Sequence, residues 1–246
     1  IRHPNVVTYH DFGEDADGDL ILVMEYLEGE SLSARLSHPP ALPAERVSSM
    51  VWQAAAGLAA AHRAGIIHRD VKPANLFLEN GDPYGRMKVI DFGILRADAR
   101  IHRGLEPLTR SDVCIGTPDY VAPEQLLGVP VGPAADQYAL ALVAFEMATG
   151  VKAFSVRERD EDLLMRITQR PATLGLLAAA KLPRPFVDAV TRAVSPQPGD
   201  RFESIVAFAD ALSQPDSSLY GVTRSLHHTS RKVRLALRCT SSKRPA

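Results

Sequence analysis

The stretch His68-Arg69-Asp70-Val71-Lys72-Pro73-Ala74-Asn75 limits what this chain can be more than any other. It sets three polar side chains of different chemistry, Asp70, Lys72 and Asn75, within six residues. Short apolar runs flank it, Ile66-Ile67 and Leu76-Phe77-Leu78, and both read as short strands. A polar loop so placed is held by the packed scaffold on either side. Phosphoryl transfer needs a carboxylate that orients the attacking hydroxyl and takes its proton, a cation near the moving phosphate, and an oxygen ligand for Mg2+. Asp70, Lys72 and Asn75 supply these in that order. Taken alone, the stretch also reads as a polar loop closed by Pro73.

A second motif, Ile90-Asp91-Phe92-Gly93, ends the strand Met87-Lys-Val-Ile90. That strand and Leu76-Phe77-Leu78 flank the turn-rich Asn80-Gly-Asp-Pro83 and read as a hairpin. A carboxylate at Asp91 therefore faces the same loop mouth, where a hard cation wants one or two carboxylates beside phosphate oxygens. A second Asp-Phe-Gly, Asp11-Phe12-Gly13, lies within an upstream strand with no such loop before it and reads as chance. A third motif follows, Gly116-Thr117-Pro118-Asp119-Tyr120-Val121-Ala122-Pro123-Glu124.

In order and spacing these motifs, over residues 1–212, resemble the large lobe of eukaryotic-like (Hanks-type) serine/threonine protein kinases, including the bacterial ones. The resemblance implies an α+β, protein-kinase-like fold: mainly the helical C-lobe, with a two-strand remnant of the N-lobe and the hinge. It implies ATP-dependent, Mg2+-assisted phosphoryl transfer to serine or threonine of protein substrates. Asp70 would be the base and Lys72 would steady the γ-phosphate. Asn75 and Asp91 would hold the metal, and Thr117 would hydrogen-bond Asp70 and Lys72. Leu22–Leu27 matches the hinge, with Met24 as gatekeeper, the backbones of Glu25 and Leu27 on adenine, and Phe77 as part of the floor beneath the ring. Glu124 would pair with Arg201 inside the fold, and Asp136 would brace the catalytic loop. Lys72 within Asp-x-Lys-Pro-x-Asn points to the Ser/Thr branch. Arg69 would pair with a phosphate carried on Thr109 or Ser111.

Ile1–Val7 resembles the junction between the family's regulatory helix and its fourth small-lobe strand. No Gly-x-Gly-x-x-Gly occurs, and the first lysine is Lys72 itself. The expectation is therefore a fragment without the glycine-rich loop and the ATP-gripping lysine, in three parts: 1–27, remnant and hinge; 28–212, C-lobe; 213–246, a basic, disordered tail.

Strands are expected at Val6–Glu14 and Leu20–Tyr26. Helices are expected at Ser31–Ser37, Pro43–Ala64, Ala134–Thr149, Glu158–Thr168, Pro185–Val194 and Glu203–Leu212, with a loop over Arg96–Gly116. Trp52 reads as core, and His68 as a packing residue rather than a ligand or base.

Charge separates the tail from the rest. From Ser213 onward seven basic residues face Asp216, a net of +6, so residues 1–212 carry −7 of the chain's −1. The body is thus no nucleic-acid binder by charge. No apolar run approaches the ~20 residues of a membrane span. Two cysteines, Cys114 and Cys239, suit a reducing cytoplasm. Two other classes compete with the kinase reading: a non-catalytic kinase-like module that docks partners, and a small-molecule phosphotransferase.

Overall fold

Val47, Met50, Val51, Ala54, Leu58 and Ala61 recur at helical spacing, and each is at most 1% exposed. They form the inner face of helix α2 (Ala44–Arg63). The computed structural model describes residues 1–14, 20–80, 85–92, 118–154 and 168–213. The chain divides into two units, Ile1–Asp216 and Ser217–Ala246, and the second lies outside the described residues. So do the loop expected at Arg96–Gly116, nearly all of the helix expected at Glu158–Thr168, and the tail.

The described body mixes helix and strand, with α2 at its centre. The helix packs against α4 (Pro133–Thr149), α7 (Ile205–Leu212) and strand β5 (Arg86–Val89). Helix α4 is apolar almost all round, as a helix buried on every side must be. Gly150, in the left-handed region at φ 74°, ends it and returns its N–H to the Glu146 carbonyl at 2.8 Å. Smaller helices complete the body: α1 (Leu32–Leu36), α3 (Pro123–Leu126), α5 (Gly175–Ala179) and α6 (Arg184–Ala193).

The described strands form two antiparallel sheets. Strands β1 (Tyr9–Glu14) and β2 (Leu20–Met24) form one; β3 (Gly29–Ser31), β4 (Leu76–Glu79) and β5 form the other, in the order β3-β4-β5. Strand β3 was not anticipated. It depends on Gly29, where a Cβ would lie 1.9 Å from the Leu78 carbonyl oxygen.

Several boundaries differ from the sequence reading, each for a local reason. Val6 and Val7 do not extend β1: Val7 N–H bonds the Val89 carbonyl at 3.0 Å and Val89 N–H bonds Asn5 at 2.9 Å, so this segment joins β5 in parallel. Strand β2 stops at Met24, and Tyr26 is 88% exposed. Ile66-Ile67 is not a strand; Ile66 N–H folds back on the Ala61 carbonyl to close α2. Pro43 precedes α2 as its cap. Helix α7 starts after Ser204, whose Oγ accepts the Ala207 N–H at 3.1 Å. Trp52 is not core: it is 48% exposed, and its Nε1 donates to Asp210 Oδ1 at 3.2 Å.

The Asn5–Val7 segment also lies against α2, at Gly57. In a helix interior alanine normally exceeds glycine by roughly 0.5–1 kcal/mol. Here an added Cβ would sit 2.6 Å from the Asn5 carbonyl oxygen. Such overpacking costs typically about 1–3 kcal/mol. We expect Gly57→Ala to lower the thermal unfolding midpoint, by about 2–4 °C for each kcal/mol at this chain length. A midpoint that rises would show that the segment is not seated on the helix.

Candidate active site

Asp136, in the first turn of α4, is 1% exposed. A carboxylate so buried must be saturated with hydrogen bonds. Its Oδ1 accepts the Arg69 N–H at 2.8 Å, and its Oδ2 accepts the His68 N–H at 2.9 Å and His62 Nε2 at 2.7 Å. Two consecutive backbone amides of the polar loop thus hang from one carboxylate in the core.

That anchorage holds the loop in an unfavourable shape. Arg69 has φ 64°, in the left-handed region that non-glycine residues seldom occupy. Its N–H is held by Asp136, and its carbonyl accepts Gln125 Nε2 at 2.9 Å. The other end of the Gln125 amide accepts the Ala122 N–H at 3.1 Å, which fixes its orientation. Strain persists only where neighbours over-determine it in this way.

Beyond the strained residue the polar groups gather. Lys72 Nζ donates to Asp70 Oδ2 at 2.8 Å. Asn75 Nδ2 donates to the Asp70 carbonyl at 2.8 Å and to Asp70 Oδ2 at 3.2 Å. His68, 1% exposed, accepts the Asp70 N–H on Nδ1 at 3.3 Å and donates from Nε2 to the Ile90 carbonyl at 3.0 Å. The tautomer with hydrogen on Nε2 satisfies both contacts. The Ile90 N–H bonds the Asn75 carbonyl at 3.0 Å. Ile90 is therefore pinned on both sides, and exposed Asp91 follows it directly, at φ 57°. Phe92 turns inward, with its ring centroid 4.8 Å from that of His68.

The structure thus brings Asp70, Lys72 and Asn75 together and starts Asp91 from a residue bonded to Asn75. Thr117 and Gly93 lie outside the described residues. Phe77 is half-buried on β4, its ring edge against Gly29. Met24 is 44% exposed, and Leu27 is half-buried. The Glu25 N–H is engaged with the Thr8 carbonyl at 2.9 Å, so of the Glu25 backbone the carbonyl is what remains for a base.

The sequence reading did not single out Lys88, Glu146 or Lys152. Lys88, on β5, donates from Nζ to Glu25 Oε1 at 2.6 Å, and the same oxygen accepts the Thr8 N–H at 2.7 Å. Partial burial works to raise the Glu25 carboxyl, but the Lys88 ammonium and the Thr8 amide outweigh it and hold the group below the ordinary glutamate range. In the turn before α3, buried Asp119 accepts a bond from Lys152 Nζ at 2.7 Å, and the Tyr120 hydroxyl donates to Glu146. Burial, opposed only in part by Tyr120 and Lys152, pushes the Glu146 carboxyl up.

Glu124 and Arg201 meet, as the resemblance implied. Arg201 Nη1 and Nη2 donate to the two Glu124 oxygens at 2.7 and 2.8 Å. The remaining N–H groups reach the carbonyls of Ala134, Ser195 and Pro196. The side chains are 0% and 4% exposed, and all five guanidinium donors are used.

A sequence profile for the protein kinase domain matches residues 1–230. The serine/threonine-protein kinase Pkn1 of Myxococcus xanthus is 38% identical over 219 residues, which are 86% of this chain and 30% of Pkn1. The serine/threonine-protein kinase PknA of Mycobacterium tuberculosis is 33% identical, covering 87% of this chain and 48% of PknA. This chain therefore spans less than half the length of either relative. The crystal structure of the Mycobacterium tuberculosis PknI kinase domain superposes with a TM-score of 0.67 at 32% identity, covering 86% of this chain and 72% of that one.

Two expectations follow from the buried charges. Glu124→Ala strands the Arg201 cation and should cost about 3–5 kcal/mol of stability in denaturant unfolding. A loss below about 1 kcal/mol, the value of an exposed pair, would contradict the burial. Glu146 has a raised folded-state value, so its stabilising contribution is complete below its unfolded value of 4.5 and is lost as pH rises through the folded one. Glu146→Gln, which cannot ionise, should therefore gain stability relative to the parent as pH rises from about 4. A difference that is flat with pH would show that the carboxyl is not raised.

Proposed function

The chain belongs to the protein kinase family, and from that premise we propose that it transfers the γ-phosphoryl group of ATP to serine or threonine hydroxyls of protein substrates. The observation that carries this reading is the Asp70 carboxylate, aimed by Lys72 and Asn75 on a backbone bolted to Asp136. Asp70 orients the acceptor hydroxyl and takes up its proton as the oxygen attacks. Lys72, bonded to Asp70, puts its ammonium where the transferred phosphoryl gathers negative charge. Thr117 would add a hydrogen bond to this pair.

Asn75 and exposed Asp91 suit a hard cation. Asn75 spends its Nδ2 on Asp70, so Oδ1 is the atom it offers, and Asp91 adds a carboxylate one residue beyond the Ile90–Asn75 bond. Mg2+ held there supplies charge neutralisation on the phosphate oxygens. Adenine lies against the carbonyl of Glu25 and the backbone of Leu27, past Met24 and over Phe77. Residues 1–27, 28–212 and 213–246 serve as the hinge-side strands, the catalytic lobe and a basic tail. Two cysteines support a cytoplasmic setting.

Asp70→Asn keeps the shape of the side chain and removes the base. Phosphate transfer from labelled ATP to a protein acceptor should fall at least about 10²-fold, with the unfolding midpoint unchanged. Equal transfer by parent and variant would overturn the assignment of Asp70. Transfer to a metabolite in place of protein would move the activity to another class of acceptor.

A further inference from the structure

Lys88 sits in the middle of β5 at 7% exposure, where lysine is seldom found without a partner. It pairs across the sheet with Phe77, so the two side chains leave the same face. The opposite face carries Leu76, Met87 and Val89, all at 0% exposure, and belongs to the core. Among the described residues, the charged groups that reach the Lys88 ammonium are Glu25, at 2.6 Å, and Glu79, at 3.8 Å; Arg86, on the same strand, leans on Glu79 at 4.0 Å. Glu25 is therefore the principal partner. It also receives the Thr8 N–H on its side chain, and its own N–H goes to the Thr8 carbonyl.

Between β2 and β3 the described backbone is tied at two points. One is Glu25. The other is Glu28, whose carbonyl accepts the Asn80 N–H at 2.8 Å. Tyr26 and Leu27 bridge the two ties. Lys88 thus loads the first tie, and it does so from the strand that delivers Asp91 three residues later. We propose that Lys88 is a positioning residue, which through Glu25 holds the Glu25–Leu27 backbone in register for the adenine base. The proposal rests on the nucleotide reading above and deepens it. The base-binding backbone is set by a cation on the opposite sheet, and the same strand sets the metal-binding carboxylate. A merely stabilising ion pair would affect the unfolding midpoint and leave ligand affinity alone.

The test measures the affinity of adenosine, and of ATP with and without Mg2+, for the parent, Lys88→Met, Glu25→Gln and the double variant. Glu25→Gln keeps an oxygen for Thr8 and removes the charge, so it tests the same contact if Lys88→Met does not fold. Each single variant should weaken all three ligand conditions by a similar factor, about tenfold, or ~1.4 kcal/mol. The double variant should be no weaker than the worse single one, since both remove the same contact. For Lys88→Met, turnover at saturating ATP should stay within about twofold, the pattern of lost uniform binding. Unchanged affinity in the single variants would overturn the proposal and leave the kinase reading standing. So would a loss confined to Mg2+-ATP, which would put Lys88 on the phosphate side. A parent chain that binds no adenine compound would overturn both.

Discussion

The geometry of the candidate site hangs on one buried carboxylate. Asp136 takes two successive loop amides and a histidine, and by doing so turns an α-helix in the core into a mounting for a strained loop. The cost of burying the charge is met by those hydrogen bonds, and the position of Arg69 and Asp70 follows from them. The helix N-terminus favours negative charge at this point as well, since Asp136 lies in the first turn of α4. Rigidity in α4 itself comes from its apolar surface, packed on every side. The polar loop of Asp70, Lys72 and Asn75 is thus held from within the hydrophobic core.

Other features repeat the pattern of a polar group made harmless by complete satisfaction. Arg201 spends every donor, and its guanidinium carbon lies 4.9 Å from the Tyr138 ring centroid. His68 uses both ring nitrogens and meets the Phe92 ring at a tilt of 44°. These residues touch several segments each, so they fix relations between segments as well as saving buried charge. The sheet of β3, β4 and β5 works at smaller scale: one face joins the core, while the other offers Phe77 and Lys88 toward the connection after β2.

How much of this was legible in the sequence depended on distance along the chain. Helix α2 was readable from its apolar period, and the β4–β5 hairpin from two apolar runs around a turn. Asp70, Lys72 and Asn75 were readable because their chemistry is contiguous. Strand β3 was not, because three residues make a strand only when β4 offers an edge. Val6 and Val7 have strand-forming side chains, but sequence does not say that they pair in parallel with β5. Trp52 was misjudged because an indole at the border of an apolar stripe reads the same whether it turns in or out. The contacts of Gln125 with Arg69 and of Lys88 with Glu25 span 56 and 63 residues, and neither residue stands in a periodic pattern that marks it.

Helix α3 gives adjacent residues two different attachments. Glu124 is bonded into the buried Arg201 cluster, and Gln125, next along, holds the carbonyl of Arg69. The first acts as a fulcrum and the second as a short lever arm. A rotation of this one-turn helix would have to break a desolvated ion pair before it could release the loop. A translation of the chain segment entering α3 would be stopped at the same place. The lever is therefore held at both ends, and the peptide bond before Asp70 takes its direction from contacts within the protein.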